Sequence, residues 1–175
     1  MKSLLPIRLF VFSITFFSYI TVNAQQNQAD SLRSVLEKYS TEKNFESDTN
    51  YINTLNDFGL RKSNINPDTT ILIGQRIIEL CNKINYQKGK VDAMKNTGLA
   101  YNVKGEYNRA LAQFAEALAL ALESGYIKGA GRIYHNTGIV YSNIGKYPEA
   151  LENYYKALKI REEIIDTLGT SSTVN

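Results

Sequence analysis

The sequence predicts an all-α fold, an α-α superhelix of about three helical hairpins with an additional helix in front. Three observations predict it. The 175-residue chain matches itself under a shift of 40. Within each copy, apolar or small residues recur at helical spacing. Only three prolines interrupt the chain, and glycines stand where the periodic stretches end.

The self-match is densest in the second half. Asn96-Thr97-Gly98 falls on Asn136-Thr137-Gly138, Tyr101 on Tyr141, Gly105 on Gly145 and Tyr107 on Tyr147. Ala110-Leu111 falls on Ala150-Leu151, Phe114 on Tyr154, and Ala117-Leu118 on Ala157-Leu158. A weaker copy lies upstream, with Tyr86, Lys88 and Gly89 falling on Tyr126, Lys128 and Gly129. Its first helix fits a shift of 39, which sets Leu55 on Met94 and Gly59 on Gly98. One residue is therefore missing from its turn, near Asn64-Ile65-Asn66-Pro67. The copies span about 50–84, 87–124 and 127–164 within a repeat region at 50–165.

Each copy reads as two helices. Val91 to Val103 carries Val91, Met94, Gly98 and Tyr101 on one side, and Lys104-Gly105-Glu106 ends it. Tyr107 to Leu122 is rich in Ala and Leu, both strong helix formers, and Ser124-Gly125 closes it. Pro148 is tolerated in the first turn of the matching helix of the last copy. Gly98 and Gly138 predict close helix approach, with Ala110, Ala117, Ala150 and Ala157 on the same crowded side. Tyr101, Phe114, Tyr141 and Tyr154 supply the bulk that fills between hairpins.

The ends differ from this middle. Lys2 and Arg8 precede or open an apolar run of 12 residues, Leu9 to Ile20, and Val22-Asn23-Ala24 follows. That reads as a signal peptide at 1–24 cleaved after Ala24, hence an exported, periplasmic protein. An uncleaved anchor is the alternative, but 12 residues fall short of the roughly 20 that a spanning helix needs. Residues 25–49 read as a capping helix and linker, with Leu32, Val35, Leu36 and Tyr39 on one face. Residues 166–175 read as the start of a truncated further repeat, with Asn175 falling on His135.

Composition excludes several functions. Without Lys2 and Arg8, 18 basic side chains stand against 17 acidic, too balanced for a nucleic-acid binder that neutralises phosphates. Cys81 is the one cysteine and His135 the one histidine, which excludes an intrachain disulfide and an ordinary zinc site. Cys81, beside Leu80 and Ile84, reads as a buried inert thiol or, alternatively, a redox group. His135 reads as structural or solvent-facing, because no Ser, Cys or Asp arrangement points to nucleophilic catalysis. Gly125, Gly129 and Gly131 lack the strand and Lys-Ser of a phosphate loop. No catalytic, cofactor or metal site is expected.

These residues resemble the tetratricopeptide repeat, whose pattern runs W-x-x-L-G-x-x-Y, A-x-x-x-F, P. The match reads Met94-x-x-Thr97-Gly98-x-x-Tyr101 with Ala110-x-x-x-Phe114, then Tyr134-x-x-Thr137-Gly138-x-x-Tyr141 with Ala150-x-x-x-Tyr154. The Trp is replaced by Met94 and Tyr134, the terminal Pro by Leu122 and Glu162, and the period is 40 in place of about 34. The longer period resembles the variant in exported regions of Bacteroidetes-type signalling proteins. The resemblance implies a curved stack whose first helices line a concave face, and a non-catalytic scaffold for a protein or peptide partner. Its alternative is the sensory input region of a longer signal-transduction protein with a histidine kinase or similar output. A membrane would enter only through export or a region beyond this chain.

Repeat geometry then places Asn53, Asn56 and Leu60 on the concave face, followed by Asp92, Lys95, Asn96, Leu99 and Asn102, and by Arg132, His135, Asn136, Ile139 and Asn143. The amides can donate to and accept from a peptide backbone, and Lys95 and Arg132 can meet a carboxylate. An ordinary solvated helix face is the other reading. Leu99 and Ile139 stand where the family's chaperone-binding clamp wants Asn, so that clamp is not carried over.

Overall fold

The computed structural model describes residues 47–171. The signal peptide at 1–24, most of the capping segment at 25–49 and the last four residues lie outside the described residues. Six helices follow in order: α1 (Thr49–Lys62), α2 (Pro67–Ile84), α3 (Gln87–Val103), α4 (Tyr107–Glu123), α5 (Ile127–Asn143) and α6 (Tyr147–Ser171). No strand occurs among the described residues. They pair as α1–α2, α3–α4 and α5–α6, and each hairpin stacks on the next. The first helices α1, α3 and α5 also touch in sequence and line one side.

Local chemistry explains the boundaries. The Asp48 carboxylate accepts the Asn50 N–H at 2.8 Å and starts α1. The Asn66 side chain caps α2 by accepting from the Thr69 N–H at 3.1 Å, with Pro67 at the first position. This is the turn that the one-residue deletion points to. α3 starts at Gln87, four residues ahead of Val91.

Three glycines close helices in the left-handed region: Gly105, Gly125 and Gly145, at φ +74°, +71° and +77°. Around each, two backbone bonds satisfy the last carbonyls. After α3, for example, Glu106 N–H donates to Tyr101 O at 2.9 Å and Gly105 N–H to Asn102 O at 3.0 Å. Asn85 makes the same turn after α2 at φ 55°. The matching place after α6 is Ile165, a β-branched residue that does not accept this conformation. α6 accordingly runs on to Ser171, past residue 164 where the periodicity places a break.

The core is a spine of alanines with one fully enclosed aromatic. Ala110, Ala117, Ala121 and Ala130 are at 0% exposure and Phe114 is at 1%. Met94, Val91, Ile133 and Val140 complete it. A Cβ on Gly98 would strike the Phe114 ring, and one on Gly138 would lie 2.6 Å from Tyr154 Cε1. The two glycines thus mark close helix approaches, as does Gly74 of α2, where a Cβ would strike the Thr97 hydroxyl. Cys81 is buried in α2, and burial pushes its thiol up to about 11 against the pull of Lys90.

Candidate functional site

The concave side holds a groove of about 750 Å³. α1 contributes Asn53, Asn56, Asp57 and Leu60, and α3 contributes Lys88, Asp92, Lys95, Asn96 and Leu99. α5 and the turn before it add Tyr126, Lys128, Gly131, Arg132, His135 and Asn136. α6 closes the far wall with Ala157, Ile160, Arg161, Ile164 and Ile165. Ten of the thirteen residues expected on this face line it: Asn53, Asn56, Leu60, Asp92, Lys95, Asn96, Leu99, Arg132, His135 and Asn136. The other three, Asn102, Ile139 and Asn143, lie outside the lining, and two of them bind each other, Asn143 Nδ2 donating to Asn102 Oδ1 at 2.9 Å.

The amides at the floor are turned inward. Asn56 and Asn96 are 5% and 3% exposed. Asn56 Nδ2 donates to the Gly89 carbonyl at 3.0 Å, and Asn96 Nδ2 donates to the Asn56 carbonyl at 3.0 Å. They bolt α1 to α3, and their donors are unavailable to a ligand. The sequence reads both as open contacts because a helix-face projection does not show how closely the neighbouring helix approaches.

A second layer of ties repeats along the stack. The Tyr86 hydroxyl donates to Asn53 Oδ1 at 3.0 Å, and the Tyr126 hydroxyl to Asp92 Oδ2 at 3.2 Å. Each tyrosine precedes a first helix and reaches back to the one before it. Burial and the Asp92 carboxylate together push the Tyr126 phenol up to about 12.

Asp92 also organises the cations. Its Oδ1 lies 3.5 Å from Lys95 Nζ and 3.9 Å from Arg132 Nη1. Lys95 is 6% exposed, and desolvation lowers its pKa against the pull of Asp92, with Arg132 lowering it further. Lys95 therefore serves the floor, whereas Arg132, half exposed, reaches the rim. Lys88 joins the rim with its ammonium 5.6 Å from the Tyr126 ring centroid. His135 is exposed, its ring 5.5 Å from that of Tyr154.

The lining carries five cations, Lys88, Lys95, Lys128, Arg132 and Arg161, against Asp57 and Asp92. With Lys95 turned to Asp92, four basic side chains share the lining with the aliphatic Leu60, Leu99, Ile160 and Ile164. Helix-face reasoning misses Lys88, Lys128 and Arg161, because two stand at helix starts and the third on a second helix. The match of Lys88 with Lys128 across repeats is the signal that could have found the first two. No group of three His, Cys, Asp or Glu able to hold a metal occurs among the described residues.

The family pattern of the tetratricopeptide repeat matches residues 90–163. Comparison with curated proteins by sequence finds no match. Among solved structures, the repeats are similar to aspartyl phosphate phosphatase F from Bacillus subtilis, at TM-score 0.69 and 18% identity, over 98% of this chain and 44% of that one. They are also similar to Bacillus thuringiensis PlcR, solved in complex with the peptide PapR7 and DNA, at TM-score 0.66 and 16% identity, over 86% of this chain and 54% of that one. This chain thus spans about half the length of these two neighbours. At such identities the likeness is one of fold.

Proposed function

We propose that this chain is a non-catalytic protein-interaction scaffold whose groove takes an acidic, aliphatic segment of a protein or peptide partner. One observation carries the reading: exposed cations and aliphatic side chains line the same groove, while the internal carboxylate Asp92 is held by Lys95 and Tyr126. Carboxylates of a partner complement that rim, and its Leu or Ile side chains find Leu60, Leu99 and Ile160. A peptide in the PlcR crystal is consistent with the same partner class.

The test is fluorescence anisotropy with two peptides of equal length, one alternating Glu and Leu, the other Lys and Leu. The Glu peptide binds more tightly, and salt weakens it. Arg132→Glu with Lys128→Glu weakens it at least about tenfold, the equivalent of about 1.4 kcal/mol. Equal affinity for the two peptides sinks the reading.

Export follows from Lys2, the apolar run and Ala24, and the scaffold is proposed to work outside the cytoplasm as a periplasmic protein. N-terminal sequencing of the cell-envelope form is expected to begin at Gln25. A form that begins at Met1 would overturn export by cleavage.

A further inference from the structure

The three first helices carry an amide, a carboxylate and a guanidinium at one equivalent position: Asn53, Asp92 and Arg132. The tyrosine tie from the following turn needs only an acceptor there. Asn53 takes the Tyr86 hydroxyl at 3.0 Å, closer than the 3.2 Å at which Asp92 takes that of Tyr126. The tie therefore does not require the charge of Asp92. Its other oxygen, Oδ1, has no hydrogen bond. That oxygen lies 3.5 Å from Lys95 Nζ and 3.9 Å from Arg132 Nη1, both beyond the roughly 2.7–2.9 Å of a charge-assisted bond. Lys95 is buried, and desolvation lowers its pKa while the Asp92 charge offsets that only in part. One carboxylate thus holds two cations of the groove, neither of them closely.

We propose that Asp92 is a built-in competitor for the partner's carboxylates, which holds Lys95 in reserve at the groove floor. This rests on the acidic-partner reading above. α3 stands between α1 and α5, so Asp92 and Lys95 belong to the interior of the stack and to the groove lining at once. In this structure Lys95 and Arg132 both lie beside Asp92. A Glu or Asp of the partner that reaches the floor takes the place of Asp92 at Lys95, and the ammonium turns to it. Asp92 keeps its Tyr126 bond through Oδ2 during that exchange. Asp57, the other carboxylate of the lining, is exposed and has no such hold on a buried cation. A charge at the floor acts through a lower dielectric than one at the rim, so the release of Lys95 changes affinity more than a change at Asp57 does.

Anisotropy with the alternating Glu and Leu peptide, on the full chain, tests this. Asp92→Asn keeps an acceptor of the kind that serves Tyr86 at Asn53, and it is expected to tighten the peptide at least about threefold. Asp57→Asn removes the same formal charge from the same lining and gives a smaller gain. Lys95→Met weakens the peptide more in the Asp92→Asn chain than in the wild type, which marks Lys95 as the cation released. Where Asp92→Asn lowers helicity, Asp92→Asn with Lys95→Met removes the buried pair whole. Against Lys95→Met alone, that double variant still binds more tightly, through the freed Arg132. Equal gains from Asp92→Asn and Asp57→Asn overturn the proposal. So do additive effects of the Asp92 and Lys95 variants, and a double variant no tighter than Lys95→Met. Those results leave the groove reading standing, whereas a wild-type chain with no preference for the Glu peptide overturns both.

Discussion

The hairpins α3–α4 and α5–α6 carry the same repeat motif at equivalent positions and do not share the same burial. α3 lies between α1 and α5 and buries nine residues, including Lys95, Asn96 and Thr97. α5 buries five, and its matching residues His135 and Asn136 are exposed and half-buried. Phe114 is enclosed, whereas Tyr154 in the same role is half-buried. In a stacked array, each hairpin's neighbours supply much of its core, so identical motifs acquire different energies by position.

The sharpest way to break this comparison is to empty the two aromatic positions in turn. Phe114→Ala should cost about 3–5 kcal/mol, as for other buried aromatics. Tyr154→Ala should cost clearly less. Urea titrations that give equal losses would show the third hairpin to be as enclosed as the second.

Filling the close approach comes next. Gly138→Leu drives a side chain into Tyr154 and should cost about 1–3 kcal/mol by overpacking. Lys146→Ala, in the turn after α5, should stay within about 0.5 kcal/mol. Comparable melting temperatures for the two would undo the assignment of that helix contact. A smaller contrast separates the outer leucines: Leu111→Ala should cost more than Leu151→Ala, whose change stays within about 0.5 kcal/mol in dilute solution. Thermal melts measure both.

The smallest effect is a slope with pH. The Tyr126 phenol sits at about 12 in the folded chain, against 10.0 for a free one. The folded state therefore holds this proton where the unfolded state has lost it. Its contribution is complete below pH 10.0 and declines as pH rises toward about 12. Tyr126→Phe should flatten that part of the stability profile. An unchanged slope would show that Asp92 and burial do not act on this phenol.

Much of the fold is legible in the residues. The shift of 40 locates the hairpins, Gly98 and Gly138 mark the tight contacts, and Gly105 and Gly145 mark the turns. The groove was legible by half. Arg132, His135 and Asn136 line it as their helix face predicts, while Asn56 and Asn96 are consumed by the α1–α3 contact. Lys88, Lys128 and Arg161 escape a reading confined to the concave sides of first helices.

What the amino-acid order determines by itself is local and periodic. Alanine and glycine at set intervals permit close helices, and Gly or Asn after a helix permits its reversal, because both depend on sterics within a few residues. Tertiary structure alone decided which copies of a motif are interior. The same leucine position packs against the core in α4 and is exposed in α6, and the same amide-bearing face is bolted shut at Asn96 and more open at Asn136. Burial depends on the neighbouring hairpin, and no residue encodes that within its own repeat.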